Sequence, residues 1–237
     1  MSRTEATLND LKDKATPGSI AVVRADLTNL GAGAAIVETA IQKYGRLDGL
    51  IVNHGTLGPV NRLSDSTAQD WREAFNVNFF SAVDLVQAAL PELRKTQGKI
   101  VVTSSGAATN AYTAWGAYGS SKAAINHLVA TLALEEPDIT SVAVRPGTVD
   151  TEMQREIREK HNLAMNPQDA TKFANLKKDG KLLQPEQPGN VIARLALDAR
   201  KELSGRFVSC VHQHLLAKAY PIRWNDRDLD DFQDKAQ

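Results

Sequence analysis

The alternation of short apolar runs with longer stretches of helical periodicity is the feature that most restricts how this chain can fold. The predicted strands are residues 20–25, 50–52, 99–103 and 140–144. The predicted helices are residues 31–44, about 66–93 and 117–134. Strands that alternate with helices of this length are typical of parallel β-α-β units. Because the strands are almost entirely apolar, we expect helices on both faces, and hence an α/β protein with a doubly wound parallel sheet.

Composition narrows the class of partner and the compartment. The 237 residues carry 28 basic and 28 acidic side chains, so the net charge is zero and gives no reason to expect nucleic acid or an anionic membrane as a partner. With Cys210 as the only cysteine, no intramolecular disulfide can form, which favours a reducing compartment such as the cytoplasm. No apolar run approaches the roughly 20 residues of a membrane span.

Chemically useful residues follow each predicted strand. Ligands bind at the carboxyl ends of the strands in sheets of this kind. The candidates are Asp26 after the first strand, Asn53 and Gly55 after the second, Ser105 after the third and residues 146–151 after the fourth. Each is also compatible with an ordinary turn or helix cap. Their joint position predicts a ligand site along this edge.

Tyr118 and Lys122 stand four residues apart on a predicted helix and so share one face. A nearby ammonium lowers the pKa of a tyrosine from about 10, which suits the phenol to exchange a proton with a carbonyl oxygen. Ser105 can hydrogen-bond the same oxygen. Asn78 stands within a predicted helix, where asparagine is unfavourable. The alternatives are a surface Tyr–Lys pair and a solvent-facing asparagine.

These residues, together with segments 2–6, 78–81, 117–124, 135–137 and 150–154, resemble the short-chain dehydrogenase/reductase family. Within it the sequence is most similar to fungal benzil reductases and sepiapterin-reductase-like carbonyl reductases. The resemblance implies a Rossmann-like oxidoreductase that uses NADP (as NADPH) to reduce a ketone, aldehyde or α-dicarbonyl by hydride transfer. It also implies a small-molecule carbonyl substrate and a homodimer or homotetramer. Residues 205–209 resemble the last strand of the family.

The resemblance implies a role for each candidate residue. Tyr118 is expected to be the general acid/base, with Ser105 orienting the substrate carbonyl. Lys122 is expected to lower the pKa of Tyr118 and to bind the nicotinamide ribose, and Asn78 to hold a water of a proton relay behind it. The expected cofactor contacts are Arg3 with a 2′-phosphate, Asp26 with the adenine, Asn53 and Gly55 near the adenosine ribose, and Pro146, Gly147, Thr148, Val149 and Thr151 near the nicotinamide. An exposed arginine without this role is an equal alternative for Arg3.

Residues 152–178 occupy the position of the substrate lid of the family, where Met165 and Trp115 either contact substrate or simply pack. Two departures accompany the resemblance. The glycine-rich turn that binds pyrophosphate does not precede residue 20, so we expect the first β-α-β segment to be missing. Residues 210–223 read as an insertion. The prediction is one Rossmann-like domain over residues 1–237, incomplete at its N-terminus, that binds NADPH weakly as it stands.

Three other interpretations compete with a reductase. The missing turn also fits an inactive truncated fragment, or a non-catalytic binding or scaffold protein that has lost its cofactor site. A nucleotide-sugar epimerase or dehydratase also uses a Tyr-x-x-x-Lys pair, but too little chain follows Pro146 to build its larger substrate domain. His212 and His214 have no Asp, Glu or Cys at ligand spacing, so no metal site is predicted.

Overall fold

Four parallel strands form the sheet at the centre of the molecule. The structure is a computed structural model that describes residues 5–210, with side chains from residue 8 onward. The strands are β1 (Gly49–Val52), β2 (Lys99–Thr103), β3 (Thr140–Arg145) and β4 (Arg206–Ser209). They lie in the order β1-β2-β3-β4. Three strands predicted from apolar runs, and the fourth expected from the resemblance at 205–209, are therefore confirmed.

Helices flank this sheet, as expected for β-α-β units. The α-helices within residues 5–210 are α1 (Glu5–Lys14), α2 (Ala32–Tyr44), α3 (Ala68–Phe75), α4 (Ser81–Thr96), α5 (Gly116–Glu135), α6 (Glu152–Glu159), α7 (Pro167–Lys178) and α8 (Glu186–Asp198), of which α2, α4, α5 and α8 contribute to the cores on the sheet. A five-residue π turn, Asn76–Phe80, joins α3 to α4. The predicted helices at 31–44 and 117–134 correspond to α2 and α5. The predicted helix at 66–93 corresponds to α3, the π turn and α4 together.

Side chains that alternate along β2 separate two hydrophobic cores. Ile100 and Val102 point to a core that also contains buried residues of α2, α4 and α5. Val101 points to the opposite core, which contains buried residues of α8. All three strand residues are at most 1% exposed. Because apolar side chains are buried on both faces, the doubly wound arrangement predicted from the apolar strands is confirmed.

The strand predicted at residues 20–25 is wrong. This segment has no regular secondary structure, although residues 20–23 are partly buried and Leu27 packs against the first core. A strand needs a neighbouring strand to take up its backbone hydrogen bonds. Within residues 5–210, β1 pairs only with β2, and its other edge has no strand beside it. An apolar sequence alone therefore does not make this segment a strand.

Several predictions fall outside the described residues. These include the cofactor contact of Arg3 and the interpretation of His212 and His214. Of the insertion predicted at 210–223, only Cys210 is described; it is 2% exposed, and burial raises the pKa of its thiol to about 12. Among the helices of residues 5–210, none has the length and apolar character needed to cross a membrane.

Candidate active site

Ser105 and Tyr118 meet at the carboxyl end of β2. Tyr118, near the N-terminus of α5, is only 8% exposed. Burial raises the pKa of its phenol, and a hydrogen bond with the Ser105 side chain partly opposes this effect. The Ser105 hydroxyl also accepts a hydrogen bond from the backbone N–H of Ala107 at 3.1 Å, which caps a short 3-10 turn. The serine is therefore both a cap and a partner of Tyr118.

Lys122 lies one helical turn beyond Tyr118 and is almost completely buried. Its Nζ donates a hydrogen bond to the backbone carbonyl of Thr103 at 2.7 Å, at the end of β2. Burial lowers the pKa of Lys122 to about 8, so the ammonium form still predominates at neutral pH. Desolvation of the phenolate dominates the pKa of Tyr118 here, and the Lys122 ammonium is bound to the Thr103 carbonyl, so the lowering of that pKa by Lys122 stays a prediction. The phenol therefore keeps its proton.

Asn78 occupies the π turn and links two parts of the chain that are distant in sequence. Its Oδ1 accepts a hydrogen bond from the backbone N–H of Thr56 at 2.8 Å, and its Nδ2 donates to the carbonyl of Thr56 at 2.9 Å. Nδ2 also donates to the Ser121 hydroxyl of α5 at 3.1 Å. The side chain is 2% exposed, and this network replaces its contacts with water. An asparagine that is unfavourable in a helix thus fixes the loop after β1 against α5.

Gly55 lies directly against Asn78 and Lys122. A Cβ at this position would lie 3.2 Å from Asn78 Oδ1 and 3.4 Å from Lys122 Nζ. The absence of a side chain therefore allows the loop after β1 to approach both groups closely. The structure brings the predicted residues Gly55, Asn78 and Lys122 together, while the water relay expected at Asn78 stays a prediction.

His54, for which the sequence predicts no role, is part of the same corner. Its Nε2 lies 2.6 Å from the Ser81 hydroxyl, which donates its own hydrogen to the carbonyl of Val77 at 2.6 Å. With the hydroxyl hydrogen directed to Val77, Nε2 is the donor to the Ser81 oxygen. Burial, and then the positive charge of Lys122, lower the pKa of His54 to about 4. The imidazole is consequently neutral, and only its position in the fold reveals this.

Asn53 and Asp26 differ in the hydrogen-bond partners of their side chains. The Asn53 Oδ1 accepts a hydrogen bond at 2.7 Å from the hydroxyl of Thr103, the residue whose carbonyl binds Lys122. Asp26 instead accepts hydrogen bonds from the backbone N–H and the hydroxyl of Thr28, at 3.0 and 2.8 Å, and these bonds lower the pKa of its carboxyl. Asn53 thus belongs to the corner around Lys122, whereas Asp26 stabilises its own exposed turn.

The loop after β3 is joined to the segment beyond the lid. Leu183 donates its N–H to the carbonyl of Thr148 at 2.9 Å and accepts one from Asp150 at 2.8 Å, so that Val149 forms a parallel bridge with it. Upstream, Pro146 leads into Gly147, which has a φ of 93°, a value that favours glycine. Thr151 caps α6 by accepting a hydrogen bond from Gln154. The loop is therefore held at both ends.

An aromatic cluster forms the wall beside Tyr118. Trp115 packs edge-on against Tyr118 with ring centroids 6.0 Å apart, and stacks on Phe173 of α7 at 5.3 Å and 18°. Tyr112 lies 4.8 Å from Trp115. Met165 is buried in the same cluster. Residues of the predicted lid thus pack over the phenol side of the site, and Trp115 and Met165 lie where they can line it.

The described residues fit one end of a nicotinamide dinucleotide better than the other. Lys122, Tyr118 and Asn53 offer an ammonium, a phenol and an amide, which suit the hydroxyls of a ribose. At the N-terminus of α2, the N–H groups of Gly31 and Gly33 are bound by the Asp84 carboxylate at 2.9 and 2.7 Å. A pyrophosphate does not fit there, because a carboxylate already occupies the amides.

Comparison with known proteins identifies the family. The sequence profile of the short chain dehydrogenase family matches residues 1–162. The chain belongs to the short-chain dehydrogenase/reductase family. An uncharacterized oxidoreductase of Schizosaccharomyces pombe is 48% identical over 193 residues, which are 81% of this chain and 77% of that protein. As a member of this family, the chain is an oxidoreductase of a class that binds nicotinamide cofactors.

One further relative agrees with the predicted similarity to fungal benzil reductases, and a solved structure agrees with the family and the fold. A benzil reductase of Saccharomyces cerevisiae, described as forming (S)-benzoin, is 39% identical over 218 residues, which are 88% of this chain and 83% of that enzyme. The chain is also 39% identical in sequence to a short-chain dehydrogenase/reductase from the same yeast whose crystal structure is known. The two structures superpose with a TM-score of 0.87, and the match covers 91% of this chain and 85% of the yeast protein. Across residues 5–210, no three His, Cys, Asp or Glu side chains are grouped to hold a metal ion.

Proposed function

We propose that this chain is an NADP-dependent carbonyl reductase that converts a ketone, aldehyde or α-dicarbonyl into an alcohol, with Tyr118 as the proton donor. The observation that carries the proposal is the meeting of Ser105, Tyr118 and buried Lys122 at the carboxyl end of β2, beside an apolar aromatic cluster. The similarity to a yeast benzil reductase supports the α-dicarbonyl class in particular.

The side chains divide the work of carbonyl reduction. The substrate oxygen accepts hydrogen bonds from the hydroxyls of Ser105 and Tyr118, which polarise the carbonyl. Tyr118 then transfers its proton to that oxygen as the alcohol forms. A bound reduced nicotinamide supplies the hydride. The Lys122 ammonium stabilises the phenolate left on Tyr118, and the aromatic cluster keeps water away from the reacting carbonyl.

The same proposal assigns the cofactor contacts. Arg3 binds the 2′-phosphate of NADP, because a guanidinium can form two parallel hydrogen bonds with a phosphate. Asp26 lies near the adenine. The strand-end contacts are Asn53, Gly55, Pro146, Gly147, Thr148, Val149 and Thr151. Residues 152–178 act as the lid over the substrate within a single domain. The ion pair between Lys177 of α7 and Asp150, at 2.7 Å, supports a link between lid and loop.

A homodimer or homotetramer in the cytoplasm completes the proposal. Leu63 and Phe80, 76% and 46% exposed, line an apolar groove along α3 together with Trp71 and Phe75. None of the residues Ser105, Tyr118 and Lys122 lines this groove. Burial of such side chains against a second copy is favourable and leaves the site free.

A label-transfer experiment tests the reaction. The full chain is incubated with an aryl α-dicarbonyl and NADPH that carries deuterium at the transferable position of the nicotinamide. We expect an α-hydroxy ketone with one deuterium on the new carbinol carbon, at a higher rate than with labelled NADH. Absence of labelled product would reject the reductase.

A non-catalytic binding protein is the second candidate. The observation that favours it is the Asp84 carboxylate on the amides of Gly31 and Gly33, where a phosphate cannot bind. Calorimetric titration with NADPH separates the two candidates. Heat of binding that saturates supports the reductase, whereas binding of a carbonyl compound without NADPH binding supports the alternative.

A further inference from the structure

The indole N–H of Trp115 is buried without an acceptor. Trp115 is 6% exposed, and within residues 5–210 no acceptor is hydrogen-bonded to its Nε1. Buried tryptophan N–H groups usually find a partner, because an unpaired donor has lost water without compensation. Trp71 illustrates the usual case, since its Nε1 donates to the Ser66 hydroxyl at 3.1 Å. The donor on Trp115 therefore needs an explanation that Trp71 does not.

The surroundings of Trp115 place this donor beside the proposed proton donor. Trp115 and Tyr118 are three residues apart at the start of α5, with ring centroids 6.0 Å apart and planes at 90°. Residues at this spacing lie on the same side of a helix. One face of the indole is stacked on Phe173 of the lid at 5.3 Å, so the aromatic ring of the lid holds the indole beside Tyr118. One compact cluster thus combines a ring-stacking surface, a phenol and an unpaired N–H.

We infer that the Trp115 N–H is a second hydrogen-bond donor to the substrate and selects carbonyl compounds with another acceptor oxygen next to the reacting carbonyl. This inference rests on the proposed function, since the first carbonyl is the one that Tyr118 protonates. An aryl α-dicarbonyl satisfies both donors and offers a ring that stacks in the cluster. A monoketone leaves the indole N–H unpaired, and a site built to donate a hydrogen bond discriminates against ligands that lack the acceptor.

Binding of two matched ligands to the full 237-residue chain tests this role. The ligands 1-phenylpropane-1,2-dione and propiophenone differ only by a carbonyl in place of a methylene. In calorimetric titrations we expect Trp115→Phe, which keeps an aromatic ring, to raise the Kd of the dione about five- to tenfold and that of propiophenone less than about twofold. Tyr44→Phe, a substitution at a partly exposed side chain at the end of α2, is the control and changes neither Kd. Equal weakening of both ligands, or an unchanged Kd for the dione, overturns the inference.

A second measurement follows ligand binding in the unmodified chain, and a variant serves only to assign the resonance. The indole N–H resonance of Trp115, labelled with nitrogen-15 and assigned by its loss in Trp115→Phe, should move downfield on addition of the dione and not of propiophenone. No shift, or the same shift with both ligands, overturns the inference. Dione-selective binding without any reduction counts only against the proposed function. If the chain reduces the dione but Trp115→Phe weakens the binding of both ligands equally, only the role of Trp115 is contradicted.

Discussion

The corner at the ends of β1 and β2 and the segment before α2 use their polar groups in opposite ways. In the corner, hydrogen bonds join distant parts of the chain: Asn78 binds Thr56 and Ser121, and Lys122 binds Thr103. In the segment before α2, Asp26 binds Thr28, only two residues away. The groups proposed for proton transfer are thus positioned by the whole fold, whereas the Asp26 carboxylate is bound within its own turn.

The N-terminus of α2 extends this contrast. Its two glycine N–H groups point to the Asp84 carboxylate of α4, so they stabilise the contact between two helices. A helix N-terminus favours an anion through the same N–H groups and the helix dipole, and here the protein supplies the anion itself. Polar groups at a helix start therefore do not imply a phosphate site unless they are free.

Acid should weaken the corner more than the segment before α2. Folding keeps His54 neutral down to a pKa of about 4, while the unfolded chain takes up this proton below about 6.5. The free energy of unfolding should therefore fall as pH decreases from 6.5 to 4, by on the order of 3 kcal/mol. Urea denaturation across this range measures it. His54→Gln should remove most of this decrease in the free energy of unfolding between pH 6.5 and 4.

Asp26→Asn provides the matched control for the other region. Hydrogen bonds from the backbone N–H and the hydroxyl of Thr28 lower the pKa of the Asp26 carboxyl. Because the unfolded carboxyl titrates at about 3.9 and the folded one below its ordinary range, Asp26 acts mainly at lower pH than His54, and Asp26→Asn should keep most of the slope between pH 6.5 and 4. A profile that is unchanged by His54→Gln would show that the histidine is not held neutral by the fold.

Because Gly55 is closely packed, Gly55→Ala should also lower the free energy of unfolding, but by less than acid does. Gly55→Ala brings a methyl group to 3.2 Å from Asn78 Oδ1 and 3.4 Å from Lys122 Nζ, so these groups must shift. We expect the free energy of unfolding to fall by about 1–2 kcal/mol. Gly189→Ala in α8 has no atom within 4 Å of the new Cβ, and should instead raise it by about 0.5–1 kcal/mol. Equal effects of the two substitutions would contradict the tight contact at Gly55.

The strands β1 to β3 and the four-residue spacing of Tyr118 and Lys122 can be predicted from the sequence because each is a local pattern. Residues 99–103 are apolar and buried on both faces, so their strand is recognisable alone. Residues 20–25 have a similar composition but form no strand, since pairing depends on a neighbour that local sequence does not reveal. The neutral state of His54 and the unpaired N–H of Trp115 likewise depend on tertiary packing. Neither feature can be recognised from a pattern in the sequence alone.

The rate of NADPH oxidation by Tyr118→Phe, with 1-phenylpropane-1,2-dione as substrate, tests the central claim most directly. The variant lacks only the phenolic hydroxyl, so its kcat should fall by about 10²- to 10⁴-fold while the Kd for NADPH changes little. Tyr44→Phe removes the same hydroxyl from a partly exposed side chain at the end of α2 and should leave the rate unchanged. A Tyr118→Phe variant that retains the wild-type rate would show that another group donates the proton.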